Sequence, residues 1–157
     1  MVKLTYMIYR VFPGGQLDPN ESFETTLRRE ILEEVGIDIN KLENPQLKPI
    51  LIYESAYPNE TPIFQCLVVF FLIKFNNLHE SINMKIDTLE VQAYSWINSE
   101  LLKEILFDSD KCFNSEFYAN MFVNNEFKSI RLDKSNLLNK DYGEYFPYGH
   151  YLACKYL

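Results

Sequence analysis

Histidine and cysteine are scarce in this chain of 157 residues, which has two of the first and three of the second. Cys66, Cys112 and Cys154 are odd in number and none sits in a CxxC spacing. That pattern points to reduced thiols in a cytosol-like compartment and away from a disulfide framework or structural zinc. His79 lies in a polar stretch and His150 near the C-terminus; a lone histidine is more often a surface or satisfied residue than a catalyst, so neither enters the chemistry considered below. Long hydrophobic runs are also missing. The longest, Cys66 to Ile73, is far short of the roughly 20 residues a membrane-spanning helix needs, so it reads as a buried strand and no membrane partner is expected.

Met1 to Thr5 offers neither a long apolar region nor a small-residue cleavage site, which argues against a secretory signal. The terminal Lys155-Tyr156-Leu157 is not the Ser-Lys-Leu peroxisomal address, and an intracellular, cytoplasmic setting is the expectation. Positive charge is in short supply too: 15 Lys and Arg face 22 Asp and Glu, a net charge of −7. This argues against a broad cationic surface and a DNA partner, and favours small or terminal nucleotide groups engaged locally. With 47% apolar and 24% charged residues, and no repeat, low-complexity tract or linker, residues 1–157 read as one globular domain.

Residues 4–12 are rich in Tyr, Ile, Val and Phe and stop at Pro13-Gly14-Gly15, as a strand entering a tight turn would. An acidic loop follows. Ser22 suits an N-cap, Glu24 the first turn and Gly36 a C′ position, which predicts a helix over 23–35. Ile50–Tyr57 and Ile63–Phe75 are predicted strands, separated by turn formers and able to pair antiparallel. Residues 76–87 read as a polar loop, Val91–Ile97 as a strand, and Asn98-Ser99-Glu100 as the start of a helix to about Leu106. Residues 108–135 are mixed and poorly periodic; Gly149–Leu157 suits a short closing helix.

At about 100° per residue, the helix sorts into two adjacent faces. Phe23, Leu27, Ile31 and Val35 make an apolar stripe, expected to pack on the sheet. Glu30, Glu33 and Glu34 cluster beside it, because separations of three and four residues stack side chains one turn apart. Such crowding destabilises an isolated helix by a few tenths of a kcal/mol per pair, so it calls for free solvation or a cation. By base rate a Glu-Glu pair on an amphipathic helix is a solvated face.

The surrounding pattern decides otherwise. From Gly15 to Ile37 the chain reads GQLDPNESFETTLRREILEEVGI: Gly15, Glu21, Arg29-Glu30, apolar Ile31, Glu33-Glu34, Gly36 and apolar Ile37 resemble the Nudix signature at each specified position. A chance match at a given start is on the order of 10⁻⁹. The resemblance implies an α/β fold, the Nudix α/β/α sandwich, with a mixed β-sheet between helices. It also implies Mg²⁺ or Mn²⁺ bound by Glu30, Glu33 and Glu34, with the Gly14 carbonyl as a further ligand and one glutamate assisting deprotonation of the attacking water. Hard cations of this kind take oxygen ligands and bridge carboxylates to phosphates, which explains acidic groups one turn apart. Arg29, four residues before Glu33, can orient that carboxylate; Glu21 can pin the loop to the helix. Gly15 and Gly36 serve backbone geometry, a tight turn and a helix stop. A distal acid often comes from a later loop in this family, and Glu90 is the best-placed residue for it, Glu54 a weaker one.

Beyond the box, Tyr53-Glu54-Ser55-Ala56-Tyr57-Pro58, the strand Leu67–Ile73 and Glu90-Val91 leading to Ser95-Trp96-Ile97 resemble the motif-seventeen branch. Its members are described as hydrolases of 7-methylguanosine-capped mRNA, which makes a capped RNA 5′ end the expected partner. Tyr53, Tyr57, Phe64 and Trp96 could stack on a base, although burial is the commoner fate of an aromatic side chain. A dinucleotide pyrophosphatase acting on NAD(H) is the alternative, disfavoured because the Ser-Gln-Pro-Trp-Pro-Phe-Pro signature of that subfamily and its upstream zinc cysteines have no counterpart here. A third reading is a shortened, inactive nucleotide-binding module lacking N-terminal strands. The family usually places more chain before the box than the fourteen residues here, and Arg10 stands where tryptophan is common.

Overall fold

The computed structural model describes residues 2–4, 10–57, 64–77, 81–91, 93–107, 117–132 and 152–157. Strands β1 (Val2–Leu4) and β2 (Arg10–Val11) precede helix α1 (Phe23–Val35). Strands β3 (Gln46–Tyr57), β4 (Phe64–Lys74) and β5 (Ala93–Ser95) follow, then helix α2 (Ser99–Phe107) and strands β6 (Phe117–Val123) and β7 (Glu126–Leu132). A 3₁₀ turn at Cys154–Tyr156 lies at the C-terminus. Five strands form one sheet in the order β2-β1-β5-β6-β7, and β3 and β4 form a second. Each of these pairs is antiparallel. The architecture is α/β, as the Nudix expectation requires, although the described strand pairs are all antiparallel where a mixed sheet was expected.

Local chemistry explains α1. Ser22 is extended (φ −89°, ψ 158°) and its Oγ accepts from the Thr25 N–H, the bond that an N-cap supplies to an orphan donor. At the other end Gly36 adopts a left-handed φ of 70°, and its N–H donates to the Leu32 carbonyl at 3.0 Å. Two further last-turn carbonyls are satisfied from outside the helix: the N–H of Lys85 donates to Val35 O and that of Asp87 to Glu34 O, both at 3.0 Å. The close approach needs glycine a second time, because a Cβ on Gly36 would stand 2.6 Å from the Lys85 backbone.

Residues 82–87 form a loop, as expected, but not a solvated one: Ile82, Met84 and Ile86 pack against the core of Ile31, Val35, Ile37 and Ile39. Leu27, Leu47, Ile73 and Trp96 pack there too, so the helix stripe meets the β3–β4 sheet. The stripe is one residue shorter than expected. Phe23, in the first turn of the helix, is 46% exposed.

Three strand expectations change. Residues 4–12 are not one strand: Lys3 pairs with Val11 and Leu4 with Arg10, and β1 also pairs with β5 through Val2–Ser95, Lys3–Tyr94 and Leu4–Ala93. The stretch before the box therefore supplies two strands to the five-stranded sheet. Strand β3 begins at Gln46 and passes through Pro49, where the register with β4 shifts between Pro49 and Leu51. A bulge accommodates a residue that cannot donate to the ladder. Residues 117–132, poorly periodic by sequence, form a hairpin whose two-residue turn Asn124-Asn125 has φ of 53° and 66°, the primed-turn geometry that matches strand twist. Phe122 and Phe127 pair across it with ring centroids 5.1 Å apart, and Tyr94 meets Phe127 edge-on at 5.2 Å.

Helix α2 starts one residue after Asn98, whose Oδ1 accepts from the Glu100 N–H at 2.8 Å. Among the described residues, no helix is long and apolar enough to cross a membrane. His79, His150 and Cys112 lie outside the described residues.

Candidate active site

The turn Pro13-Gly14-Gly15 and one face of α1 meet through two glutamates a helical turn apart. Glu34, only 4% exposed, accepts the Gly14 N–H on its Oε2 at 3.3 Å. The Glu30 carboxylate lies against the Cα of Gly15, filling the space a Cβ would take. A side chain at 15 would displace the Glu30 carboxylate from this position, a reason for glycine that the signature alone does not reveal. Both carboxylates are held against adjacent residues of one turn, on the side where the Gly14 backbone is at hand.

Arg29 ties loop to helix. Its Nε and Nη2 donate to Glu21 Oε1 and Oε2, each at 3.1 Å, in a two-point fork. Its Nη1 donates to Glu30 Oε1 at 2.8 Å and to Glu33 Oε2 at 3.1 Å, so the guanidinium stands between these two carboxylates. Nη2 also donates to the Gln16 carbonyl at 3.1 Å and lies 3.6 Å from Asp18 Oδ2. Thr26, buried in the helix, donates from its hydroxyl to Glu21 Oε2 at 2.7 Å. These hydrogen bonds, that from Arg29 foremost, hold the Glu21 carboxyl at a pKa of about 2. Reciprocally, the Glu21 carboxylate raises the Arg29 pKa. Sequence reasoning paired Arg29 with Glu33 alone and passed over Thr26; an Arg at eight residues from a loop carboxylate has no local rule to announce it.

The other candidates are placed as follows. Glu33 is the solvent-facing member of the trio, its side chain 57% exposed against 14% for Glu30. Glu90 is exposed in the turn 88–90, its N–H bonded to the Asp87 carbonyl at 3.3 Å. Since the Asp87 N–H is bonded to Glu34 O, that turn begins at the end of α1. Glu54 is exposed on β3 opposite Leu67. Trp96 is half-buried and packs against the core; Tyr53 is half-buried on β3 opposite Val68. Tyr57 and Phe64 face each other in the ladder, and their side chains lie outside the described residues.

Among the described residues no three acidic, histidine or cysteine side chains converge as one ready ion cage. The donor set nevertheless fits a hard divalent cation. Asp18, Glu21, Glu30 and Glu33 share the single guanidinium of Arg29, and buried Glu34 adds another carboxyl beside them. Oxygen donors with surplus negative charge suit Mg²⁺ or Mn²⁺, and among the described residues neither thiols nor imidazoles that would favour a softer ion stand in this cluster.

Comparison with known proteins agrees with this chemistry. The family model described as NUDIX domain matches residues 5–120, well over half of the chain. No curated protein matches it. Nudix hydrolases generally use divalent metals such as Mg²⁺ or Mn²⁺. The chain belongs to the NUDIX domain family, and with it to the pyrophosphohydrolases that act on nucleoside-diphosphate-linked substrates.

Proposed function

We propose that this protein hydrolyses a diphosphate bond in the 5′ cap of mRNA, with Mg²⁺ or Mn²⁺ held by Glu30 and Glu34. Glu33 and the Gly14 carbonyl are further ligands, and Glu33 or Glu30 takes the proton of the attacking water. The observation that carries the reading is the meeting of Glu30 and Glu34, one turn apart, with the Gly14-Gly15 turn. Arg29 and Glu21 position these carboxylates rather than touch the substrate, Gly15 leaves room for Glu30, and Gly36 ends the helix where 85–87 docks.

Bound divalent cations neutralise phosphate charge and acidify a water. The water oxygen forms a bond to phosphorus, the P–O anhydride bond breaks with its electron pair leaving on the departing phosphate, and the water proton passes to the carboxylate. The products are a methylated guanosine diphosphate and 5′-phosphorylated RNA. Cap specificity rests on the segment Tyr53–Pro58, on Glu90-Val91 and on Ser95-Trp96-Ile97, which resemble the motif-seventeen branch. Glu90, near the end of α1, is the proposed distal acid. An RNA substrate implies an intracellular compartment.

The test is a substrate panel of capped RNA, NADH, ADP-ribose and nucleoside triphosphates, each with Mg²⁺ and Mn²⁺. Capped RNA is expected to turn over fastest. Preference for NADH would replace the cap reading with dinucleotide hydrolysis, and nucleotide binding without turnover of any substrate would leave only a binding module. Glu34→Gln removes a ligand charge at nearly constant size; it is expected to lower kcat/KM at least 100-fold and weaken Mn²⁺ in calorimetry, with an unchanged circular dichroism spectrum. An active Glu34→Gln protein contradicts the assignment.

A further inference from the structure

On the apolar stripe of α1, reaching Phe12 and Pro13 just before the Gly14-Gly15 turn, lies a cavity of about 280 Å³. Leu27 and Ile31 of α1, Phe70 of β4, Leu102 of α2 and Ala153 beside the C-terminal turn contribute to its wall. Ile31, Ile37 and Ile39 of the core line it as well, and since protein interiors leave few voids larger than a water molecule, a space of this size beside them exceeds an ordinary packing gap. Among the described lining residues no side chain is charged; Ser99 brings a hydroxyl and Trp96 an indole N–H, and the rest are apolar. Ser99 is exposed and Leu157 is 38% exposed, which places the mouth between the start of α2 and the C-terminal turn.

We propose that this cavity is a binding site for a small uncharged aromatic molecule with a two-ring body, a function separate from diphosphate hydrolysis. Size and lining carry the assignment. An apolar cavity of about 150 Å³ stays dry and accepts benzene, so about 280 Å³ accommodates a body of about ten heavy atoms. Five of the described lining residues are aromatic, among them Phe71, Phe75 and Trp96, and aromatic walls favour an aromatic guest through edge-to-face and offset contacts. Leu27, Phe71 and Trp96 are only half-buried, so the free protein leaves apolar surface in water that a guest would cover. Among the described residues no cation lines the site to offset a phosphate charge, so an uncharged guest suits it better than a phosphate-bearing one.

The experiment is titration of the full chain with benzene, naphthalene and pyrene, followed by methyl NMR of the lining Ile and Leu residues. Naphthalene is expected to give saturable shifts confined to the cavity, with benzene at least tenfold weaker and pyrene excluded. Naphthoate, the charged analogue, is expected to bind at least tenfold more weakly. Ile97→Phe and Ala153→Leu narrow the space and are expected to weaken naphthalene at least tenfold; a variant that fails to fold is replaced by the other, and the size series on the unaltered chain stands without either. Absent or non-saturating shifts, shifts spread over the surface, equal binding of all three hydrocarbons, or a folded variant with undiminished affinity would each overturn the proposal. Because binding is read without turnover, the result is independent of the substrate panel.

Discussion

Residues 15–37 and the β3–β4 hairpin are held by different means. In the first, a single side chain, Arg29, makes five hydrogen bonds to four residues, and the glutamates have defined neighbours. In the second, a ladder from Gln46–Lys74 to Tyr57–Phe64 does the joining, while Ile52 and Leu67 stay 66% and 63% exposed on its outer face. Charged side chains in fixed geometry are intolerant of displacement; a backbone ladder is indifferent to much of what it carries. The loop and helix should therefore respond sharply to single substitutions and the outer face of the hairpin hardly at all.

The sharpest break expected is Gly15→Ala. Its Cβ would enter the space of the Glu30 carboxylate, and displacing a ligand by about 1 Å costs on the order of 100-fold in rate. Steady-state kinetics would show this as a fall in kcat/KM in a protein whose circular dichroism is native. Val35→Ala is next: Val35 has no exposed surface, and losing its two methyl groups should cost about 2–3 kcal/mol in urea unfolding.

A subtler test is pH. Glu21 has a folded pKa near 2 against an ordinary value of 4.5, so the stability from its Arg29 pairing is present above pH 4.5 and is lost as pH falls toward 2. Glu21→Gln should flatten the acid limb of the stability curve in that window, as measured by thermal melts at stepped pH; an unchanged acid limb would show that the pairing is not felt. The smallest effect belongs to the hairpin: Leu67→Thr should shift stability by no more than about 0.5 kcal/mol and leave activity alone. A large loss there would mean that its exposed face is covered in solution and that the contrast between the regions is false.

How much of this was legible beforehand follows the range of the interactions involved. Helix α1 was readable to the residue because Ser22, Glu24 and Gly36 act within one turn of the chain. The hairpin at 117–132 could have been found from Asn124-Asn125, a two-residue turn of the kind that tolerates positive φ, even though its flanks are poorly periodic. Strand β1 had no such signal, because three residues take their conformation from Ala93–Ser95, about ninety positions away, rather than from their neighbours. Phe23 belonged to the apolar stripe by periodicity, yet it lies in the first turn of the helix and remains 46% exposed. Arg29 was expected to reach Glu33, four residues on; its fork on Glu21 required the loop to fold back over the helix.

The box from Gly15 to Ile37 was evident from spacing alone, since the period of a helix converts separations of three and four residues into a shared face, and with it came the family and its phosphate chemistry. Only the folded chain decided where those glutamates lead. Glu34 turns to the Gly14 N–H, Glu30 rests on Gly15, and the helix end is closed by Lys85 and Asp87 from a segment some fifty residues away. Local periodicity specifies which side chains share a face, but what that face meets depends on contacts between distant parts of the chain, which packing and backbone hydrogen bonding select together.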